Sequence, residues 1–361
     1  MSGKQVWRMI DTGIRSAAEN MAMNKTLLEG HQEGITPHTL RFLQFTPSVL
    51  LGFHQSAEQE LRLDYCKENN IEIQRRMTGG GAIYFDETQI GWELYLDKKA
   101  LGTADMSTIA KKICEAAAQG MSQLGVNAKF RPRNDIEVDG RKISGTGGAF
   151  DGDSILYQGT LLVDFDIERM MKTLRIPAEK LSDKAIASAR ERVVNLKELL
   201  GKAPDLGRVK ASITEAFAKA FDVQFEAAED INETEKKQFI ENLAEIDTDE
   251  WIYQHNASTE YGPIIQSIYK CEGGLMRASI SIDTKRNILK QLWLTGDFFV
   301  KPKRIVNDLE AALKDCPVDQ IKEKINAFFA NNESEMLMLE PEHFVTVINM
   351  ALEQIKVSET A

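Results

Sequence analysis

The sequence predicts a mixed α/β fold divided into two domains, and three observations lead to it. Strand-like runs with period-two alternation, such as Ile71-Glu72-Ile73-Gln74, are interspersed with helical patterns. Asp139-Gly140 lies between Asn134–Val138 and Arg141–Ile143, and Asp-Gly between strand residues is a strong two-residue hairpin signal. The length of 361 residues is too long for one ordinary domain and suits two. Hydrophobic residues make up 43% and charged residues 27%, the balance of a soluble globular chain.

In chain order, residues 7–29 read as an amphipathic helix that stops at Gly30, with Ala17, Ala18, Met21, Ala22, Leu27 and Leu28 at helical spacing. Residues 39–45 and 48–52 read as strands, and 56–69 as a helix with Ser56 as N-cap. A strand at 71–74, a glycine turn and a strand at 82–85 read as a hairpin, continued at 91–96. Residues 107–124 read as a helix capped by Ser107, and 144–148 as a second glycine-rich turn. A strand at 155–165 and several short helices through Ala220 follow. The acidic stretch 226–250 reads as a spacer or surface helix, with a domain boundary near its end. Beyond Trp251 come strands at 264–269, 275–282 and 288–294, then helices at 304–313, 318–329 and 341–357. The expected domains are 1–248 and 249–361.

The net charge of -11 argues against general binding to nucleic acid or an anionic membrane. No apolar run approaches the ~20 residues of a transmembrane helix, and the opening Met1-Ser2-Gly3-Lys4 does not resemble a signal peptide. A cytoplasmic monomer is the expectation. Cys66, Cys114, Cys271 and Cys316 contain no CxxC pair, and the five histidines show no metal-ligand spacing. Idle thiols are expected. Among the histidines only His54, at a strand end, stands out.

Two segments have the composition of a chemical site. In Arg75-Arg76-Met77-Thr78-Gly79-Gly80-Gly81-Ala82-Ile83-Tyr84, three glycines allow close backbone approach, and N–H groups in such a turn can cradle an anion. Two guanidiniums beside it can fork a phosphate. The other reading is a plain hairpin with two solvated arginines. The motif is not a Walker loop, because no Gly-Lys-Ser/Thr follows. In Asn134-Asp135…Gly140-Arg141-Lys142-Ile143-Ser144-Gly145, Lys142 is either a fixed cation for a phosphate or carbonyl, or a surface hairpin lysine.

Together these segments resemble the lipoate–protein ligase family. The matching runs are residues 75–86 (RRMTGGGAIYFD), 134–145 (NDIEVDGRKISG), 158–166 (QGTLLVDFD) and 181–200, with the N-terminal 7–29 and the Leu294–Phe299 region also similar. The resemblance implies a biotin/lipoate ligase-like fold: a largely antiparallel sheet flanked by helices, then a small α+β accessory domain. It implies an ATP- and Mg²⁺-dependent enzyme that converts lipoate to lipoyl-AMP and passes the lipoyl group to a lysine of an acceptor. That acceptor would be an H protein, an E2 lipoyl domain or a specialised lipoate-binding carrier. By position, Lys142 would be the catalytic lysine, bridging the lipoate carboxylate and the α-phosphate. Arg76, Asn134, Asp135 and the backbone of Gly81, Ala82, Ile83 and Tyr84 would hold ATP or the adenylate. Arg75, Gly79, Gly80 and Lys142 would hold lipoate, and Asp135 the metal.

The chain departs from the family pattern at Phe85, where His is frequent, at Thr88-Gln89, where Gly-Asn is frequent, and at Gln158, where His is frequent. Competing readings are an octanoyl transferase of the same fold that works without ATP, a non-catalytic relative, and biotin ligation. The last would need a GRGRxG-like loop, which is absent. All assigned chemistry precedes Phe165, so residues 251–361 are expected to control access to the site, with the first domain folding without them.

Overall fold

The computed structural model describes residues 4–103, 105–132, 134–175, 190–257 and 263–359. The chain forms two compact units. One comprises the residues up to Leu50, Arg62–Met77 and Ile83–Thr248; the other comprises Leu51–Leu61, Thr78–Ala82 and the chain from Asp249 onward.

The first unit contains strands β1 (Gln5–Arg15), β2 (Thr39–Phe45), β3 (Ser48–Leu51), β4 (Glu72–Arg75), β5 (Ile83–Phe85), β6 (Gln89–Asp97), β7 (Ala128–Arg131), β8 (Asp135–Val138), β9 (Arg141–Asp151), β10 (Ser154–Leu162) and β11 (Val223–Ala228). Eight of them form one sheet in the order β11-β1-β2-β6-β10-β9-β8-β7. Only β1 with β11 and β1 with β2 pair in parallel; the remaining pairs are antiparallel. The fold is therefore mixed α/β with a mostly antiparallel sheet, as the sequence predicts.

Helix α1 (Ala17–Gln32) covers one face, where Met23, Leu27 and Leu28 pack with Tyr95 and Leu156. Ile109, Ile113, Val209 and Phe217, from two long helices given below, bury the other face with Trp7, Phe42 and Trp92. The predicted helix at 7–29 is corrected in its first half, which is strand β1. Trp7 and Ile10 belong to cores on opposite sides of the sheet. Residues three apart point to opposite faces of a strand, whereas a helix brings them to one face. The helix begins after Ser16, whose side chain accepts from Glu19 N while Glu19 reaches back, a complete capping box.

Other boundaries also differ. The stretch 56–69 is not one helix: α2 (Ala57–Glu60) and α3 (Leu63–Glu68) are separated by extended Leu61. The break falls where the chain passes from one unit to the other, between Leu61 and Arg62. Ser56 makes no capping bond; its Oγ donates to Asn256 Oδ1 (2.8 Å). Helix α4 (Met106–Ser122) is capped by Asp105, not Ser107. Then come α5 (Ile167–Thr173), α6 (Leu196–Leu200) and α7 (Leu206–Phe221). Part of the 181–200 resemblance lies outside the described residues.

The acidic spacer is strand β11 followed by α8 (Glu233–Ile246), packed on the first helix. Glu235 is fully buried, where Arg8 grips it with two 2.7 Å hydrogen bonds and Thr36 adds a third. Its carboxyl is held below the usual range by those bonds against the opposing effect of burial. A paired, buried glutamate is invisible to a count of acidic residues.

The second unit adds α9 (Asp249–Tyr253), then β12 (Ile265–Cys271), β13 (Gly274–Asp283), β14 (Ile288–Gly296), β15 (Val300–Lys301), α10 (Ile305–Ala312), β16 (Cys316–Pro317), α11 (Ile321–Asn331), β17 (Glu335–Met336) and α12 (Pro341–Glu359). A sheet β12-β13-β14-β16 buries Ala278, Ile280 and Leu294 with Leu309, Phe344 and Ile348. This unit thus has a core of its own, as its apolar pattern requires. Among the described residues no helix is long and apolar enough to cross a membrane.

Candidate active site

The Asp139-Gly140 turn forms as expected, with φ of 50° and 78°. Both central residues have the positive φ of the turn that suits a twisted hairpin. Beyond it the register shifts: Ile136 stands opposite Ser144, but Glu137 stands opposite Lys142. Ile143 is therefore an extra residue, a β-bulge. Its effect is chemical. In a regular strand Lys142 and Gly145, three apart, would point to opposite faces; the bulge brings them to the same one.

Lys142 runs over Gly145 so closely that an added Cβ there would meet Nζ at 2.9 Å and Cε at 3.0 Å. Its Nζ ends 2.6 Å from Asp135 Oδ1, and Asp135 is the residue opposite Gly145 across the ladder. The Lys142 backbone is fixed on its outer side as well: its N–H donates to Arg192 O (2.8 Å) and its carbonyl accepts from Val194 N (2.9 Å). Lys142 is thus a positioned, partly exposed ammonium (38%) on a rigid strand, rather than a loose hairpin lysine. Asn134, just before the strand, is exposed.

The expected turn at 144–148 is corrected: these residues lie within β9, paired to β10 from Thr146 opposite Gly159 to Gly148 opposite Tyr157. Of its glycines, Gly148 serves close packing between strands, whereas Gly147 has open space around it. At Gly148 an added Cβ would meet Leu156 O at 2.9 Å. The strand places Gly145 and Thr146 on opposite faces, and Thr146 Oγ1 touches Cys114 Sγ (3.4 Å) and Tyr157 OH (3.1 Å). Cys114, on helix α4, therefore lies directly behind one of the site segments.

The glycine motif is not a hairpin. Strands β4 and β5 flank β3 in the order β4-β3-β5, so the two arms do not pair with each other. Arg75 and Arg76 are not solvated: Arg75 is fully buried and Arg76 is 6% exposed, with Nη1 donating to Leu50 O (2.8 Å). Burial lowers their pKa values to about 9 and about 10, so both remain cations at neutral pH. Buried cations of this kind are costly unless they serve a partner. Ile83 and Tyr84 stand opposite Leu50 and Val49, which commits part of their backbone to the sheet. The Tyr84 ring carries the Arg169 guanidinium at 5.7 Å, and burial raises its phenol well above the ordinary value.

The glycines themselves fold in the second unit. Gly80 has φ of 93°, and its carbonyl lies where a Gly52 Cβ would be, 1.8 Å away. An added Cβ on Gly79 would meet Phe298 O at 2.6 Å. One on Gly81 would find nothing nearer than Asp297 Cβ at 3.9 Å. Ala82 is half-buried. Phe53 N donates to Thr78 O (2.9 Å), and Gly296 N to His54 O (3.0 Å). His54 is buried and stacked on Phe298, 5.0 Å between ring centres, so its singularity in the sequence reflects packing.

Among the described residues no cluster of three or more His, Cys, Asp and Glu side chains could hold a metal ion. Asp135 is a single carboxylate, a donor set that suits Mg²⁺ when phosphate oxygens supply the other ligands. Of the thiols, Cys66, Cys114 and Cys316 are buried and only Cys271 is partly exposed. Burial pushes Cys66 up to about 11 and raises Cys114 and Cys316 as well. A cleft of ≈770 Å³ lies elsewhere, lined by Met9, Phe42, Lys210, Val223 and Phe225 among others, and none of the predicted site residues lines it.

The model of the lipoyl protein ligase A/B catalytic domain matches residues 16–218, more than half of the chain, and the chain belongs to that family. The octanoyltransferase LipM of Moorella thermoacetica is 26% identical over 69% of this chain and 98% of its own. Lipoate–protein ligase 1 of Staphylococcus aureus is 28% identical over 75% of this chain and 78% of its own. Among solved structures, a bipartite lipoate protein ligase of Thermoplasma acidophilum matches with a TM-score of 0.63 and 27% identity, over 70% of this chain and 98% of its own. Plasmodium falciparum LipL1, solved with lipoate, shares the fold at a TM-score of 0.71 and 18% identity, over 91% of this chain and 95% of its own.

Proposed function

We propose that this chain is an ATP-dependent lipoate–protein ligase. A lipoate carboxylate oxygen attacks the α-phosphorus of ATP, the bond to the β-phosphate oxygen breaks, and lipoyl-AMP and pyrophosphate result. The amine of an acceptor lysine then attacks the lipoyl carbonyl, and AMP leaves as the amide forms. The observation that favours this reading most is the Lys142–Asp135 pair, fixed on a bulged strand over Gly145. A positioned ammonium beside a carboxylate can offset the charge that develops between two anions, the carboxylate and the phosphate.

Asp135 would hold Mg²⁺, which would draw charge from the phosphate oxygens. Arg76 and the backbone of Gly81, Ala82, Ile83 and Tyr84, with Asn134, would hold the nucleotide. Arg75, Gly79 and Gly80 would hold lipoate. No covalent enzyme intermediate is required; the work is positioning and charge stabilisation. The acceptor would be an H protein, an E2 lipoyl domain or a specialised carrier.

A second reading is octanoyl transfer without ATP, favoured by the match to an octanoyltransferase along nearly its whole length. A thiol nucleophile would need a lowered pKa and access. The buried thiols with raised pKa values weigh against that route. The two readings separate in one experiment. Purified protein is incubated with an acceptor domain and either lipoate plus Mg·ATP or octanoyl acyl carrier protein without ATP. The ligase reading expects a lipoyl mass gain only in the first mixture; an octanoyl gain only in the second would replace it.

A further inference from the structure

Three polar side chains behind the candidate site take no part in the chemistry proposed above. Thr146, Tyr157 and Cys114 meet in the interior, on the sheet face opposite Lys142 and Asp135. Tyr157 is 4% exposed, Cys114 is fully buried and Thr146 is 8% exposed. Tyr157 OH lies 3.1 Å from Thr146 Oγ1 and 3.3 Å from Cys114 Sγ. Thr146 gives both of its donors to one acceptor, the carbonyl of Asn134: its N–H at 2.8 Å and its O–H at 3.1 Å.

Donor accounting orders the group. The Thr146 hydrogen is committed to Asn134 O, so toward Tyr157 its oxygen can only accept. Tyr157 therefore donates to Thr146, and the Cys114 thiol hydrogen closes on either of the two oxygens, Tyr157 OH (3.3 Å) or Thr146 Oγ1 (3.4 Å). Burial raises the pKa values of both Cys114 and Tyr157, which keeps both groups protonated as donors. Aligned bonds of this kind polarise one another. All of them converge on the peptide joining Asn134 to Asp135. That peptide begins β8, and Asp135 is the partner of Lys142.

We propose that Thr146 and Tyr157 are positioning residues, fixing the Asn134–Asp135 peptide from the hidden face so that Asp135 holds Lys142 in its working place. The proposal rests on the ligase reading for its kinetic consequence and on geometry alone for its effect on Lys142. Thr146→Val keeps the shape and removes the hydroxyl, Thr146→Ser restores it, and Tyr157→Phe breaks the chain one step further back. Loss of such outer partners costs on the order of 10–100-fold where it has been measured around metal ligands.

The test has two arms. First, lipoate-dependent pyrophosphate release is followed at varied Mg·ATP. Thr146→Val should lower kcat about tenfold, with Tyr157→Phe intermediate and Thr146→Ser within about threefold of the parent, on that same scale. Second, the rate at which an amine-reactive reagent labels Lys142 is read by peptide mass spectrometry, with melting temperature measured alongside. Labelling should change in Thr146→Val and Tyr157→Phe and return toward the parent in Thr146→Ser. Parental labelling in both hydroxyl-deleted variants, whatever their melting temperatures, would overturn the proposal. If the parent forms no adenylate, the ligase reading fails and the labelling arm still decides the positioning role.

Discussion

At the scale of single residues, the glycine motif divides into positions that the fold needs and one that it does not. Gly79 is pressed against the Phe298 carbonyl and Gly80 has a left-handed φ, whereas Gly81 has room for a methyl group. Gly79→Ala and Gly80→Ala should therefore lower the melting temperature, each costing ~1 kcal/mol or more through strain. Gly81→Ala should melt like the parent, and any rise in its KM for ATP then reports contact with the nucleotide. Equal melting of all three variants would contradict this division. Arg76→Lys should weaken ATP use beyond what retained charge suggests, since lysine cannot form a bidentate fork. Steady-state kinetics at varied ATP measure it. That Asp135 and Lys142 lie on the two arms of one hairpin was legible in the sequence from the Asp139-Gly140 turn. The bulge that turns Lys142 toward Asp135 was not, because an extra strand residue leaves no mark in a hairpin pattern. Thr146 was likewise silent: its donors go to a backbone carbonyl whose position only the folded sheet fixes.

At the scale of elements, strands with clean alternation and turns with Asp-Gly were legible, while elements set by tertiary partners were not. The first strand looked helical because its neighbours in the sheet, β2 and β11, are remote in sequence. The end of α1 supplies a pH prediction. His31 Nδ1 lies 2.6 Å from Ser154 Oγ and its Nε2 lies 2.9 Å from His38 Nδ1, so one proton bridges the two rings. Burial first, then His38, lowers the His31 pKa to about 4; burial lowers that of His38. An unfolded histidine binds a proton near pH 6.5, and the native pair resists it. Stability should therefore be fully present above pH 6.5 and fall as pH drops toward 4. Urea midpoints between pH 7 and 4 measure this, and His31→Gln should flatten the slope. An unchanged slope in that variant would assign the acid sensitivity elsewhere.

At the scale of the whole molecule, the second unit takes the chain from Asp249 onward. What composition could not reveal is that Leu51–Leu61 and Thr78–Ala82 fold with that later chain. Thr295 Oγ1 donates to Gln59 Oε1 (2.7 Å), Arg277 pairs with Glu60, and Phe298 stacks on His54. A chain cut after Glu250 removes all three partners. The expectation that such a fragment folds intact is therefore revised: residues 51–61 and 78–82 should become protease-sensitive, and adenylation should be lost. Limited proteolysis read by mass spectrometry measures the first effect. Continued protection of both segments in the fragment would show that the first unit orders them unaided.

Isotope exchange between pyrophosphate and ATP reads whether Lys142 drives adenylate formation. Lipoate-dependent exchange is expected in the parent protein, with a loss of ~10²–10³-fold in Lys142→Ala, the scale for removing one preorganised charge contact. The variant should melt like the parent, because the Lys142 side chain is partly exposed and its place in the sheet is held by backbone bonds. Exchange at the parental rate in Lys142→Ala, or no exchange in a parent that moves octanoate without ATP, would contradict it.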